Sequence, residues 1–278
     1  MTVMTSPKPA DKVRTRIWFE EPEPDNAFAT RAAHCHGYDV YGDMLGHAGW
    51  AQMVYLLFRG EAPSPAQAAL LDGLAVALAN AGPRDPAVHA AMCAGVGGST
   101  AAASLMAALA VGAGQHTGAR DVYLAMQLWV DCGTQLDAWA QHLTDPVSHD
   151  VGIWPEADHP PGFDPHCERA STLVLEALNG LARLSEGQSL RWLHANRGSL
   201  ETLAAQPLSL SGVAAAAFID LGFTPDQGEM LHLLLRLPGA AAHALEQRAL
   251  GHKNFPFFAL DLQNDPAKAL TRNDRELA

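Results

Sequence analysis

GVGGSTAAASLMAALAVGAGQHTGARD, residues 95–121, is the stretch whose reading decides the fold. Between Thr100 and Val111 nearly every side chain is Ala, Ser, Leu, Met or Val, and none is charged. A bilayer span needs about twenty apolar residues, and this run holds about a dozen. The run therefore predicts a buried helix inside a protein. Its density of Ala and Gly suits a central helix approached closely by others. It closes on Gly112, Gly114 and Gly118, with His116 among them. An imidazole at the glycine-rich end of a buried helix is either a ring satisfied by a terminal carbonyl or a group placed for chemistry.

Outward from this stretch the chain continues to read as helix. Upstream, GWAQMVYLLFRGEAPSPAQ places Trp50, Met53, Val54, Leu57 and Phe58 at helical spacing, with Gly60 as a stop. Ser64-Pro65 and Asp85-Pro86 are cap-and-proline helix starts. Downstream, an amphipathic pattern runs over residues 119–143 and is followed by a loop rich in Pro, Gly, Asp and His over 145–166. A loop that long inside a helical protein is more often functional than idle. Helices resume at 171–184, around 190–194 and 200–205, at 211–222 in the small-residue run SGVAAAAFIDLG, and after Thr224-Pro225. Alternation of period two is nowhere sustained, so the fold class is all-α. Residues 1–27, rich in Pro and charge, predict an extended or poorly ordered arm. Residues 261–278 predict a peripheral tail.

Composition narrows the function classes. The chain has 278 residues, 30 acidic and 18 basic, for a net charge of −12. Nucleic-acid binding needs clustered Lys and Arg, and the basic residues here are scattered. No polybasic run suits a membrane surface either. Cys35, Cys93, Cys132 and Cys167 are widely spaced with no CxxC pair, which predicts reduced thiols. The N-terminus shows no apolar export segment, so the cytoplasm is expected. His34-Cys35-His36 lacks a second ligand pair at zinc-like spacing, and no metal is predicted. GVGGST lacks the G-K-[ST] ending of a P-loop.

Four ordered blocks resemble the citrate synthase superfamily, and within it the short citryl-CoA lyase-like members. HGYDVYGDMLGHAGWAQMVYLLFRGEAPSPAQ resembles the family's RGYD…YLLL.GE.PT block, and GAGQHTGARDV resembles LHGGANEAV. DHPPGFDPHCERA resembles a shortened GHPVYK…DPRA, and LSLSGVAAAAFIDLGFTPDQGEMLHLLLRLPGAAAHALEQ resembles the block from NVDFY to WAAHVLEQ. The resemblance implies a helical fold with a large domain at residues 28–118 and 208–260 and a small domain at 119–207. It also implies a homodimer. The implied chemistry makes or breaks a carbon–carbon bond next to a coenzyme A thioester, with the thioester as substrate and a carboxylic acid as its partner. His116 stands where the family's enol-stabilising histidine belongs, and His159 stands at the second histidine. Arg236 matches a substrate-carboxylate arginine, since a guanidinium fork grips a carboxylate bidentately.

The same comparison shows departures. His166 replaces the arginine of DPR, and Asn80-Ala81-Gly82 stands near the family's Asp-His-Gly. Ser211 occupies the place of the aspartate that acts as general base. A serine hydroxyl cannot take that proton unaided at neutral pH. Asp158 and Asp164, flanking His159, are the candidate substitute bases. Asp220 lies nine residues past Ser211 on one helix, ~13 Å further along, which is too far. Two readings stay open: an acyl-CoA lyase or synthase with a rearranged base, or a relative that binds a CoA ester, acid or protein without turnover.

Overall fold

Most helix starts are written into the chain as a capping side chain, often followed by proline. The computed structural model describes residues 14–144, 159–256 and 263. Among these, the α-helices are α1 (Trp50–Arg59), α2 (Pro65–Leu78), α3 (Pro86–Val96), α4 (Ala101–Gly112), α5 (Ala119–Cys132), α6 (Leu136–Thr144), α7 (Thr172–Leu184), α8 (Ser189–Ala204), α9 (Leu210–Asp220) and α10 (Pro225–Leu250). The side chains of Ser64, Asp85, Thr100, Ser171, Ser209 and Thr224 each accept a backbone N–H from the first turn of their helix. Such caps satisfy donors that the helix itself cannot. No helix among the described residues is long and apolar enough to cross a membrane.

The most enclosed helix is α9 rather than α4. Val213, Ala214, Ala215, Ala216, Ala217 and Phe218 are fully buried. The helix is packed by α5, α7 and α8, with α2 and α10 also in contact. Its alanines let the backbones of these neighbours come close. By contrast, α4 lies mainly against α3 and α10, burying Ser104, Ala108 and Gly112. Met106 is 67% exposed and Val111 44% exposed on its other side. The expectation of a wrapped central helix at residues 100–111 is therefore corrected for the single chain. A helix apolar on every side carries no pattern that tells an enclosed face from an outward one.

Two apolar cores result. The larger joins α1, α2, α5, α6, α7, α8, α9 and the first half of α10, and the smaller joins α3, α4 and the second half of α10. The boundaries expected at residues 119 and 207 run through the larger core. Pro238 lies inside α10, and the next residue's N–H leaves the helix ladder to bond the Ala79 carbonyl at 2.7 Å. That bond ties α10 to the end of α2.

Of residues 1–27, expected as an extended or poorly ordered arm, those from 14 onward are described, and they include a paired strand. β1 (Trp18–Pro22) pairs antiparallel with β2 (Thr30–Cys35), which pairs with β3 (Tyr38–Asp39). Arg31 and Glu21 form an ion pair at 2.5 Å across the first pair of strands. The second turn is His36-Gly37, both at positive φ, as a two-residue hairpin loop requires. β1 has no buried residue, so it shows no alternating pattern in sequence.

Candidate functional site

The site begins where α4 ends. The chain between α4 and α5 carries His116, followed by Thr117 at φ 56°. A Cβ on Gly118 would stand 2.0 Å from the Gly114 carbonyl oxygen, so this close turn needs glycine. Arg236 of α10 secures the turn from behind: its Nη1 donates to the Thr117 carbonyl at 3.1 Å. Its Nη2 pairs with Asp85 Oδ2. The other oxygen of Asp85 caps α3, accepting from Ala87 and Val88. The Arg236 fork, expected to await a substrate carboxylate, is thus held by a carboxylate of the protein, with both side chains mostly buried.

Two further segments, the loop of His159 and Gly162 and the start of α9, meet at Asp121 in the first turn of α5. Its Oδ1 accepts the Gly162 N–H at 3.0 Å, and its Oδ2 accepts the Ser211 hydroxyl. His159 Nε2 lies 3.7 Å from Oδ1. The His159 and Asp121 side chains are both only 3% exposed. The His116 and His159 rings are 5.6 Å apart between centroids, tilted by 30°. His116, His159 and Ser211 come from three separated parts of the chain: His159 and Ser211 meet at one buried carboxylate, and the His116 ring lies beside that of His159. A buried carboxylate needs hydrogen-bond donors, and this one has the Gly162 N–H and the Ser211 hydroxyl.

The loop carrying His159 is fastened to the entry of α9. Ser209 N–H donates to the Gly162 carbonyl at 3.0 Å, and Asp164 N–H donates to the Pro207 carbonyl at 2.8 Å. Gly162 has φ +84°, and a Cβ on Gly212 would reach within 2.4 Å of the Gly162 oxygen. Glycine at 212 is what allows loop and helix backbones to touch. Ser209 Oγ then lies 2.7 Å from Ser211 Oγ. A short polar chain, Ser209–Ser211–Asp121–His159, runs through the site.

The other expected site residues lie elsewhere. His166 is exposed, and its N–H donates to Asp164 Oδ1 at 2.8 Å in a local turn. Asp164 also raises the pKa of the exposed Cys167 thiol through a hydrogen bond. Asp158 lies outside the described residues. Asp220 caps α8, accepting from Ser189 N–H at 2.8 Å, Leu190 N–H at 3.1 Å and the Ser185 hydroxyl at 2.6 Å. Asn80 closes its own turn by accepting the Gly82 N–H at 2.9 Å. Asp121 escaped the sequence reading because an acidic residue in a first helical turn is ordinary dipole chemistry. The available signal was its place five residues after His116, inside the same quoted stretch.

One turn before Arg236, His232 is buried with an unpartnered Nδ1. Burial, and then the Arg236 charge, push its pKa down to about 3. It is a neutral ring behind the site. Among the described residues no group of three His, Cys, Asp or Glu has metal-holding geometry.

At the level of sequence, no protein-family model and no curated protein matches the chain. Solved structures do match in three dimensions. Citryl-CoA lyase from Hydrogenobacter thermophilus superposes with a TM-score of 0.67 at 17% identity, covering 93% of this chain and 99% of that one. ATP citrate lyase from Methanothrix soehngenii, in complex with citrate and coenzyme A, superposes at 0.68 with 16% identity, over 94% of this chain and 43% of that one. A mutant ATP citrate lyase from Methanosaeta concilii, in complex with (3S)-citryl-CoA, gives 0.66 at 16%, over 95% and 44%. The chain thus matches nearly all of the citryl-CoA lyase and less than half of the ATP citrate lyases. The fold is the citryl-CoA lyase-like helical fold, as the ordered sequence blocks imply.

Proposed function

We propose that the protein makes or breaks a carbon–carbon bond beside a coenzyme A thioester, in the manner of citryl-CoA lyase. The carrying observation is that His159 and Ser211 meet at buried Asp121, with the His116 ring beside His159, within this fold. An enolate is too basic to persist in water at neutral pH, and placed donors in a dry pocket remove several kcal/mol from that barrier. His116 would hydrogen-bond the thioester oxygen as its enolate forms. His159 would polarise the carbonyl partner and move its proton, with Asp121 stabilising the charged ring. Arg236 would grip a substrate carboxylate by exchanging Asp85 for it, one carboxylate for another. His166, exposed beyond the loop, is assigned an accessory contact to the incoming acid.

A homodimer accompanies this reading. The outward face of α4 and the exposed Met230 and Leu234 of α10 leave apolar surface on adjoining helices. Contiguous surface of that kind marks an interaction site, and a two-fold partner is the commonest occupant.

Titration calorimetry with coenzyme A and acetyl-CoA, followed by a thiol-release assay on citryl-CoA, tests the proposal. Binding with turnover supports it. Binding without turnover favours the second reading, a ligand-binding relative, for which Ser211 at the base position is the specific observation. Silence with both ligands overturns the proposed function.

A further inference from the structure

We infer that Asp121 is the proton-accepting carboxylate of the site, contributed by α5 in place of the aspartate that position 211 lacks; this rests on the function proposed above. The Ser211 hydroxyl bonds directly to Asp121 Oδ2, so a single hydrogen bond separates the missing carboxylate from the present one. Oδ1 is anchored by the Gly162 N–H and faces His159. Oδ2 accepts from a rotatable hydroxyl, and that hydroxyl has a second acceptor, Ser209 Oγ, at 2.7 Å. Turning the Ser211 proton from Asp121 to Ser209 keeps one hydrogen bond on Ser211 and opens a lone pair on Oδ2. No backbone movement is needed, because hydroxyl hydrogens rotate freely to suit their partners.

In the condensation direction the first event is removal of a proton from carbon. Asp121 Oδ2 takes a proton from the carbon next to the thioester. The C–H electron pair becomes the enolate double bond, with the charge on the thioester oxygen held by His116. The enolate carbon then attacks the partner carbonyl, a C–C bond forms, and the carbonyl oxygen takes a proton from His159. Cleavage runs these steps backwards, and Asp121 returns its proton to the enolate carbon. Asp164 and Asp220, the other described carboxylates weighed for this role, are committed to a local turn and to the cap of α8.

The test uses citryl-CoA cleavage in deuterium oxide, reading thiol release and deuterium in the acetyl-CoA formed. Asp121→Asn should lose about a thousandfold in rate, the usual scale for removing a positioned base. The exchanged pair, Asp121→Ser with Ser211→Asp, moves the carboxylate across the same hydrogen bond and should recover at least tenfold over Asp121→Asn. Wild-type turnover with Asp121→Asn within threefold of it overturns this assignment and leaves the proposed function standing. Should Asp121→Asn fail to fold, the exchanged pair decides: turnover supports the assignment, and a folded, inactive pair overturns it. A wild-type protein that releases no thiol overturns the proposed function itself, and the assignment with it.

Discussion

At the scale of single residues, two buried charges set the energetics around the site. Arg236 and Asp85 pair with little solvent contact, and removing one partner leaves the other buried and uncompensated. Arg236→Ala should cost about 3 kcal/mol in urea unfolding, with the double variant Arg236→Ala/Asp85→Ala costing less than the sum of the singles. His232 gives a pH signature. Its pKa is lowered from 6.5 in the open chain to about 3 in the fold. Between those values the unfolded chain binds a proton that the folded chain refuses, so stability falls as pH drops through that window. The slope is at most about 1.4 kcal/mol per pH unit for one proton. His232→Leu should flatten the acid side of the stability curve by that one proton, and an unchanged curve would show the ring to be charged in the fold. Cys132 offers a simpler check. Burial and neighbouring Asp131 push its thiol up to about 11, while Cys93 is exposed. A thiol reagent at neutral pH should label Cys93 and spare Cys132 until the protein unfolds.

At the scale of elements, the contact of the His159 loop with α9 is the most sensitive joint. Gly212→Ala would place a methyl against the Gly162 carbonyl, which cannot yield without moving the loop. It should destabilise the protein by about 1–3 kcal/mol, the usual cost of overpacking, and lower activity by more than the folded fraction explains. Ala-to-Gly changes on exposed α4 should show neither effect beyond the helix-propensity cost. How much of this was legible in sequence differs by element. Helices α2, α3 and α10 were readable from Ser64-Pro65, Asp85-Pro86 and Thr224-Pro225, because a cap followed by proline is a local signal. The β1–β2 pair was not, since β1 has no buried residue and β2 buries only Ala33 and Cys35, too few for a sustained alternation. Nor was the exchange of roles between α4 and α9. Both are runs of small apolar residues, and only their neighbours decide which one is enclosed. The histidines of the site were readable through the ordered blocks around them. Asp121 was not singled out, because its hydrogen bonds reach 41 and 90 residues along the chain to Gly162 and Ser211.

At the scale of the whole molecule, fold and activity are carried by different evidence. Four blocks in order, and superposition on a citryl-CoA lyase over nearly the full length of both chains, establish the helical fold. Fold alone does not give chemistry, which belongs to the groups at the site. The outward apolar face of α4 bears on assembly. Met106→Glu should convert a dimer to a monomer in light scattering behind gel filtration, and a wild-type monomer at micromolar concentration would contradict the proposed assembly. The measurement that tests the account most directly is thiol release from citryl-CoA by wild-type protein and by His116→Ala, side by side. The wild type should release thiol steadily, and the variant at a rate lower by about a hundredfold or more. Equal rates, or no release by a wild-type protein that is folded, would contradict this expectation.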